Sequence, residues 1–284
     1  MSETPTGPFS SVRLARSMLF VPGDRSDRFE KASASGADMV ICDLEDAVPP
    51  ERKGAALRNV VDWLAGHGAA CVRINSTDHA SHVDECASLR GLTGLQAVLV
   101  PKAEKPARLE EIHTALGGEV PVIALIETAL GIHRAHEVAR ARGVARLAFG
   151  SIDFALDAGI AESNHALLFA RSTLVIVSRA NGIAAPLDGV TTNITDADIT
   201  RVAARQAKDL GFGGKLCIHP SQVDPVNRGF SPSEEELVWA HEVINHSVDA
   251  GASRLEGQMV DKPVIERAHA ILRRDAAANA EGKR

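Results

Sequence analysis

Val120 to Gly131 reads VPVIALIETALG, an apolar run that closes on a lone carboxylate, Glu127, and passes through small residues to Gly131. Such a stretch is a parallel strand, buried on both faces, that hands over to a loop and then a helix. Working outward, the same pattern recurs in SMLFVPG from Ser17, MVICDLED from Met39, CVRIN from Cys71 and AVLVPK from Ala97. It returns in ARLAFGSID from Ala145, AAPLDGV from Ala184 and GKLCIHP from Gly214, which makes eight strands. Between them lie segments with apolar residues at helical spacing, among them Pro50 to Ala65, Lys105 to Leu116, Leu130 to Arg142 and Asp196 to Leu210. Strict alternation of strand and helix implies a parallel sheet with right-handed crossovers. Eight such units match a closed (β/α)8 TIM barrel. An open doubly wound sheet is the competing arrangement, but SMLFVPGDR stands where a dinucleotide fold would carry GxGxxG.

The chain has 284 residues, 45% of them hydrophobic, and a formal net charge of −6. That is enough to bury a large core, and the acidic balance without a Lys/Arg cluster argues against nucleic-acid binding. No run approaches the roughly 18 apolar residues of a membrane span, and the expected location is cytoplasmic, with no membrane partner. Cys42, Cys71, Cys86 and Cys217 lack CxxC spacing and read as reduced structural thiols. Residues 1–15, rich in Ser, Thr, Pro and Gly, are expected to be flexible, and 16–230 to form the barrel. Residues 231–284, beginning with a helix over 232–247, are expected to form a C-terminal helical extension over the barrel mouth or toward a neighbouring subunit.

Chemistry in such a barrel sits at the C-terminal ends of the strands. The runs end at Arg25; at Asp43, Glu45 and Asp46; at Arg73 and Asn75; at Lys102 and Glu104; at Glu127; at Ser151 and Asp153; at Asp188; and at His219. Five carboxylates from neighbouring strands, Asp43, Glu45, Asp46, Glu127 and Asp153, call for a cation. Oxygen donors without a His or Cys cluster select Mg2+ or Mn2+, with Glu127 and Asp153 as the first choice of ligands and Asp43, Glu45 and Asp46 around them. The competing reading is helix capping or pairing with Arg, above all for Asp46 beside Pro49 and Pro50. Arg73 emerges into this acidic mouth as a fork suited to a substrate carboxylate, or to pairing with Asp43 or Glu45. Lys102 as a Schiff-base lysine has no support from the sequence. GFGGKL, from Gly211, fails the P-loop pattern and reads as a turn; His79/His82 and His133/His136 read as exposed helix histidines; and no GxSxG elbow is present.

RSMLFVPGDR, ADMVICDLEDAVPP, VRIN, VLVPKAE, ALIETALGI, FGSIDFALDAG, GFGGKLCIHPSQVDPVN and GQMVDKPVIERA follow in this order from Arg16 onward. Together they resemble the citrate lyase β-subunit-like enzymes of the HpcH/HpaI aldolase superfamily, relatives of the malyl-CoA and citramalyl-CoA lyases. The resemblance implies a TIM barrel assembled as a homotrimer or hexamer, with Mg2+ held by Glu127 and Asp153. It implies that Arg73 holds the carboxylate of a 2-oxoacid such as glyoxylate, pyruvate or oxaloacetate. It places coenzyme A near Phe20, Arg25 and Lys31, and makes Asp261 an acid/base inserted by a neighbouring subunit. The implied activity is a carbon–carbon lyase that splits a malyl-, citramalyl- or citryl-CoA into a 2-oxoacid and acetyl-CoA. Two alternatives remain: a malyl-CoA-type thioesterase, and the β-subunit of a citrate lyase complex acting on an acyl-carrier-protein thioester.

Overall fold

The computed structural model describes residues 8–249, 253–255 and 258–281, and the chain divides into two compact units, Met1–Asn227 and Arg228–Arg284. The first unit is the expected barrel. Its strands are β1 (Ser17–Pro22), β2 (Met39–Asp43), β3 (Ala70–Arg73), β4 (Leu95–Val100), β5 (Val122–Ile126), β6 (Val144–Phe149), β7 (Ala184–Asp188) and β8 (Gly214–Cys217). Each pairs in parallel with the next, and β1 pairs with β8 through Ser17 and Lys215, which closes the cylinder. Every residue of β2, β3, β5 and β6 is buried, as near-continuous apolar runs require when helices cover the sheet outside and side chains fill it inside. The interior is packed by Met18, Ile41, Leu99, Ile123, Leu187 and Leu216 among others, each contributing about 1.5–3 kcal/mol by leaving water. It is a solid core, so chemistry is confined to the rim.

The outer layer comprises α2 (Phe29–Ser33), α3 (Lys53–Gly66), α4 (His82–Leu89), α5 (Pro106–Ala115), α6 (Ala129–His133), α7 (Ala135–Arg140), α8 (Ser151–Ala158), α9 (Asn164–Ala180) and α10 (Ala197–Leu210), and α11 (Val223–Phe230) runs across the division between the two units. The segment expected as one helix from Leu130 to Arg142 is two, broken at Arg134. Asp196 caps α10 by accepting from the amides of Asp198 and Ile199, and Gly211 ends it at φ 103°, a left-handed turn that a glycine adopts without strain. GFGGKL is therefore the expected turn into β8. All four cysteines are free and buried; burial pushes the Cys86 thiol up to about 11 and the Cys217 thiol up to about 12, as inert core thiols require.

The expectation of a flexible segment over residues 1–15 needs correction. Pro8–Leu14 forms a helix, α1, with Pro at its first position, where no amide hydrogen is needed, and Arg13 in its last turn. Val12 and Ala15 are buried in the interior cluster, so α1 closes the N-terminal end of the barrel. Arg146, fully buried on β6, fastens it: Nη1 donates to Val12 O at 2.9 Å and Ala15 O at 2.7 Å, and Nε donates to Ala185 O at 2.7 Å. Burial pushes the pKa of this guanidinium down to about 9. Residues 1–7 of the expected flexible segment lie outside the described residues.

The second unit pairs α12 (Glu234–Asp249) with α13 (Lys262–Glu281) and carries a two-stranded antiparallel hairpin, β9 (Ser253–Leu255) with β10 (Gln258–Val260). Its core is Ala240, Val243, Val260, Ala268 and Ile271, with the Arg267 guanidinium 5.0 Å from the Trp239 ring centre. The division falls slightly before the expected 230/231 boundary. No described helix is long and apolar enough to cross a membrane.

Candidate active site

Asp43, the last residue of β2, is the most heavily bonded acid at the rim. It accepts from Arg73 Nε at 2.7 Å and Nη2 at 2.6 Å, and from the amides of Glu45 at 2.8 Å and Ala47 at 3.1 Å. Arg73 ends the neighbouring β3, so this bidentate pair spans adjacent strands. The guanidinium lies 5.0 Å from the Phe20 ring centre, with Phe20 supplied by β1. Burial works against the Arg73 charge, but the bonds to Asp43 and the charges of Glu45 and Asp46 outweigh it and hold the group above its usual range. The Nε and Nη2 edge is thus taken. Nη1 faces Glu45 Oε2 at 3.0 Å, without hydrogen-bond geometry, and Asp46 Oδ2 at 3.5 Å. Asp46 therefore pairs with Arg73 and does not cap the helix beyond Pro49, where no side-chain cap forms.

The loop that carries Glu45 is pinned from behind by Lys53 and Glu85, which no motif in the sequence singles out, and by the strand-end residue Asn75. Lys53 Nζ donates to Leu44 O, Glu45 O and Asn75 Oδ1, each at 2.7 Å, which satisfies all three of its hydrogens. Asn75 Nδ2 in turn donates to Leu44 O at 2.8 Å and to buried Glu85 Oε1 at 2.5 Å. Lys53 reads as an ordinary solvated lysine at a helix start; the one available signal was Asn75, a polar residue ending an apolar strand.

Glu127 follows β5 directly and is buried. Its Oε1 accepts from the Lys102 amide at 2.8 Å. Lys102 holds a left-handed backbone, φ 48°, which costs a non-glycine residue about 1–2 kcal/mol and here turns the amide toward the carboxylate. On the other side Gly150 is indispensable: a Cβ there would lie 2.6 Å from Glu127 Cβ and 2.7 Å from Oε2. Burial pushes Glu127 up to about 7; the Lys102 amide pulls it back, and the charge of Asp153 pushes it further up. Burial also pushes Glu45 up to about 8, opposed by Arg73 and assisted by Asp46 and Glu127. Asp153 stands in the first turn of α8, exposed, rather than on β6 itself. Thr128, next to Glu127, caps α6 by accepting from Gly131 N at 3.0 Å and donates to Glu104 Oε1 at 2.8 Å.

No group of three or more His, Cys, Asp or Glu side chains in metal-binding geometry occurs among the described residues. Glu127, buried with a single amide donor and raised further by the charge of Asp153, nevertheless suits Mg2+, which takes one or two protein oxygens and completes its shell with water and substrate. Arg25 pairs with Asp27 at 2.8 Å and Lys31 is exposed on α2, both after β1, where the CoA contacts were expected. Two strand-end residues leave the site. His219 Nδ1 accepts from the Ser221 amide at 3.2 Å as a local cap. Asp188 turns to the outside of the barrel. Asp261 belongs to the second unit, where its side chain is exposed and its Oδ1 accepts from the Val264 amide at 3.2 Å, capping α13.

Residues 16–220 match the model of the HpcH/HpaI aldolase/citrate lyase family. A citrate lyase subunit beta-like protein of Mycobacterium tuberculosis is 38% identical over 271 residues, covering 93% of this chain and 96% of its own. A (3S)-malyl-CoA thioesterase of Cereibacter sphaeroides is 31% identical over 275 residues, covering 94% of each chain. Among solved structures, the CitE protein of M. tuberculosis in complex with magnesium, acetoacetate and coenzyme A superposes with a TM-score of 0.82. It is 36% identical, over 93% of this chain and 99% of that one.

Proposed function

Because the chain belongs to the HpcH/HpaI aldolase/citrate lyase family, we propose that it is a Mg2+-dependent carbon–carbon lyase acting on a 3-hydroxyacyl-CoA of the malyl, citramalyl or citryl type. Its products would be a 2-oxoacid and acetyl-CoA. The observation that carries the reading is Glu127, directly after β5 and raised by the charge of Asp153 in the first turn of α8, beside the Arg73–Asp43 cluster, in a chain similar to one that binds magnesium, acetoacetate and coenzyme A.

Glu127 and Asp153 would hold the metal, which when bound supplies a Lewis acid for the oxygen that gains negative charge. Asp43 fixes Arg73 so that Nη1 is aimed at the rim, and the poorly directed Glu45 contact is the one a substrate carboxylate would replace. Phe20 backs the guanidinium and keeps water from that face. In the cleavage direction the C3 hydroxyl gives up its proton to solvent at the rim and its oxygen becomes the carbonyl of the 2-oxoacid as the C2–C3 bond breaks, and the electron pair of that bond passes to C2, the thioester α-carbon. Asp261 delivers the proton that turns the enolate into acetyl-CoA; in the condensing direction it removes that proton. Asp261 would act from a neighbouring copy of the chain in a homo-oligomer, and Phe20, Arg25 and Lys31 would receive the CoA portion.

A second reading, a malyl-CoA thioesterase, is favoured by the similarity to the C. sphaeroides enzyme. One experiment separates them. The purified chain is supplied with malyl-, citramalyl- and citryl-CoA, with Mg2+ and with EDTA, and the products are identified. A lyase releases 2-oxoacid and acetyl-CoA only with Mg2+; free hydroxyacid without 2-oxoacid assigns the thioesterase, and turnover that survives thorough chelation refutes the metal role.

A further inference from the structure

Asp188 lies next to interior-facing Leu187 on β7, so its side chain points out of the barrel, toward α9 and α10. There it meets two cations. Arg171 on α9 donates Nε to Oδ1 at 3.0 Å and Nη2 to Oδ2 at 2.9 Å, and Lys215 on β8 donates Nζ to Oδ2 at 2.9 Å. The three side chains are only 5–6% exposed. Two positive charges thus share one negative charge out of bulk water, an excess that costs free energy unless an anion offsets it. Among the described residues Asp188 is the hydrogen-bond acceptor of the Lys215 ammonium, which has three hydrogens to give.

A cavity of about 310 Å3 opens on this cluster, between the ends of β7 and β8 and the helices α9 and α10. We propose that it is a binding site for a small monocarboxylate, separate from the metal-bearing rim. The charge selects the class: one negative charge neutralises the excess, whereas a dianion would overshoot it and meet Glu162, exposed at the cavity's edge. The Arg171 fork is already committed to Asp188, so the ligand meets the Lys215 ammonium as a point charge. Leu167, Val190 and Ala203 offer apolar wall to a short carbon chain, and Ser151 and Thr191 offer hydroxyls. The inference is independent of the lyase reading.

The test is calorimetric titration of the whole chain with propionate and with inorganic phosphate, at constant ionic strength and with EDTA present so that a metal-dependent site is silent. Propionate should bind saturably and in preference to phosphate. Lys215→Met should weaken it at least tenfold. Ala203→Phe, which fills the cavity from α10 without touching the charged cluster, should do the same, whereas Glu127→Gln should leave it unchanged. Absence of saturable propionate binding to the wild type, preference for phosphate, or undiminished binding to Ala203→Phe would overturn the assignment.

Discussion

Gly150→Ala is the sharpest probe of the proposed metal site, because it alters no charge and no hydrogen bond. Gly150 sits at φ −88°, ψ 79°, which an alanine adopts, so the backbone itself tolerates the change. The added Cβ would stand 2.6 Å from Glu127 Cβ, roughly 0.8 Å short of the 3.4 Å at which ordinary contact begins. Either Glu127 or the start of α8, which carries Asp153, must give way by that amount. Metal–ligand distances hold to about 0.2 Å, so a displacement of this size removes one oxygen from reach. Overpacking should cost about 1–3 kcal/mol, equivalent to roughly 2–12 °C in Tm for a chain of this size. Mg2+ affinity should fall at least tenfold, and turnover by about 100-fold if the bound geometry shifts by an ångström. The assays are calorimetric Mg2+ titration, melting with and without Mg2+, and initial rates on the CoA ester that the product screen identifies. Wild-type Mg2+ affinity in Gly150→Ala, alongside loss of binding in Glu127→Gln, would refute the claim that this glycine seats the ligand.

Asp261→Asn should retain Mg2+ and 2-oxoacid binding but lose proton exchange at the methyl group of acetyl-CoA, followed by NMR in D2O; mixing it with Glu127→Gln should restore activity if the residue works across a subunit boundary, and unimpaired exchange in Asp261→Asn would remove it from the mechanism. Lys102→Gly should keep Mg2+ affinity while relieving up to about 1–2 kcal/mol of left-handed strain, whereas Lys102→Val should lower both stability and affinity; equal melting of the two variants would count against the strain. Folding raises the carboxyl pKa of Glu127 from 4.5 to about 7 and of Glu45 from 4.5 to about 8, so the metal-free native state binds more protons than the unfolded chain between these limits. Metal-free stability should therefore fall as pH rises from about 5 to 8, and the Tm gain on adding Mg2+ should grow over the same range; a gain that is flat with pH would contradict the assignment.

All eight strands were legible because each is an apolar run bounded by breakers, and strands buried on both faces leave no alternation to misread. The rim residues Asp43, Glu45, Arg73 and Glu127 were legible because a charge that ends such a run lies at the C-terminal end of the barrel, where the chemistry of this fold sits. Hydrogen-bond allegiance was not legible. That Asp43 would take one whole edge of Arg73, or that Lys53 and Asn75 would hold the Glu45 loop, depends on contacts between residues 8 to 31 positions apart, beyond the reach of any strand or helix period. Asp188 shows the limit in the other direction: it ends a strand like the others, but one step of the pleat turns it outward. The break at Arg134 escaped notice because apolar spacing continues across it.

Helix α1 was missed because a Ser- and Pro-rich stretch has little helical preference of its own, and its partners come far later in the chain. The two Arg146 bonds to it span 134 and 131 residues. On the ribosome, α1 is therefore made early but has nothing to close until β6 and β7 exist. Contacts of such long range form late because the loop between them must first be closed. The segment behaves as a latch: earliest in synthesis, late to engage, and well placed to release before the barrel opens. A probe at Phe9, 40% exposed on α1, should accordingly report refolding later than a probe on the central strands.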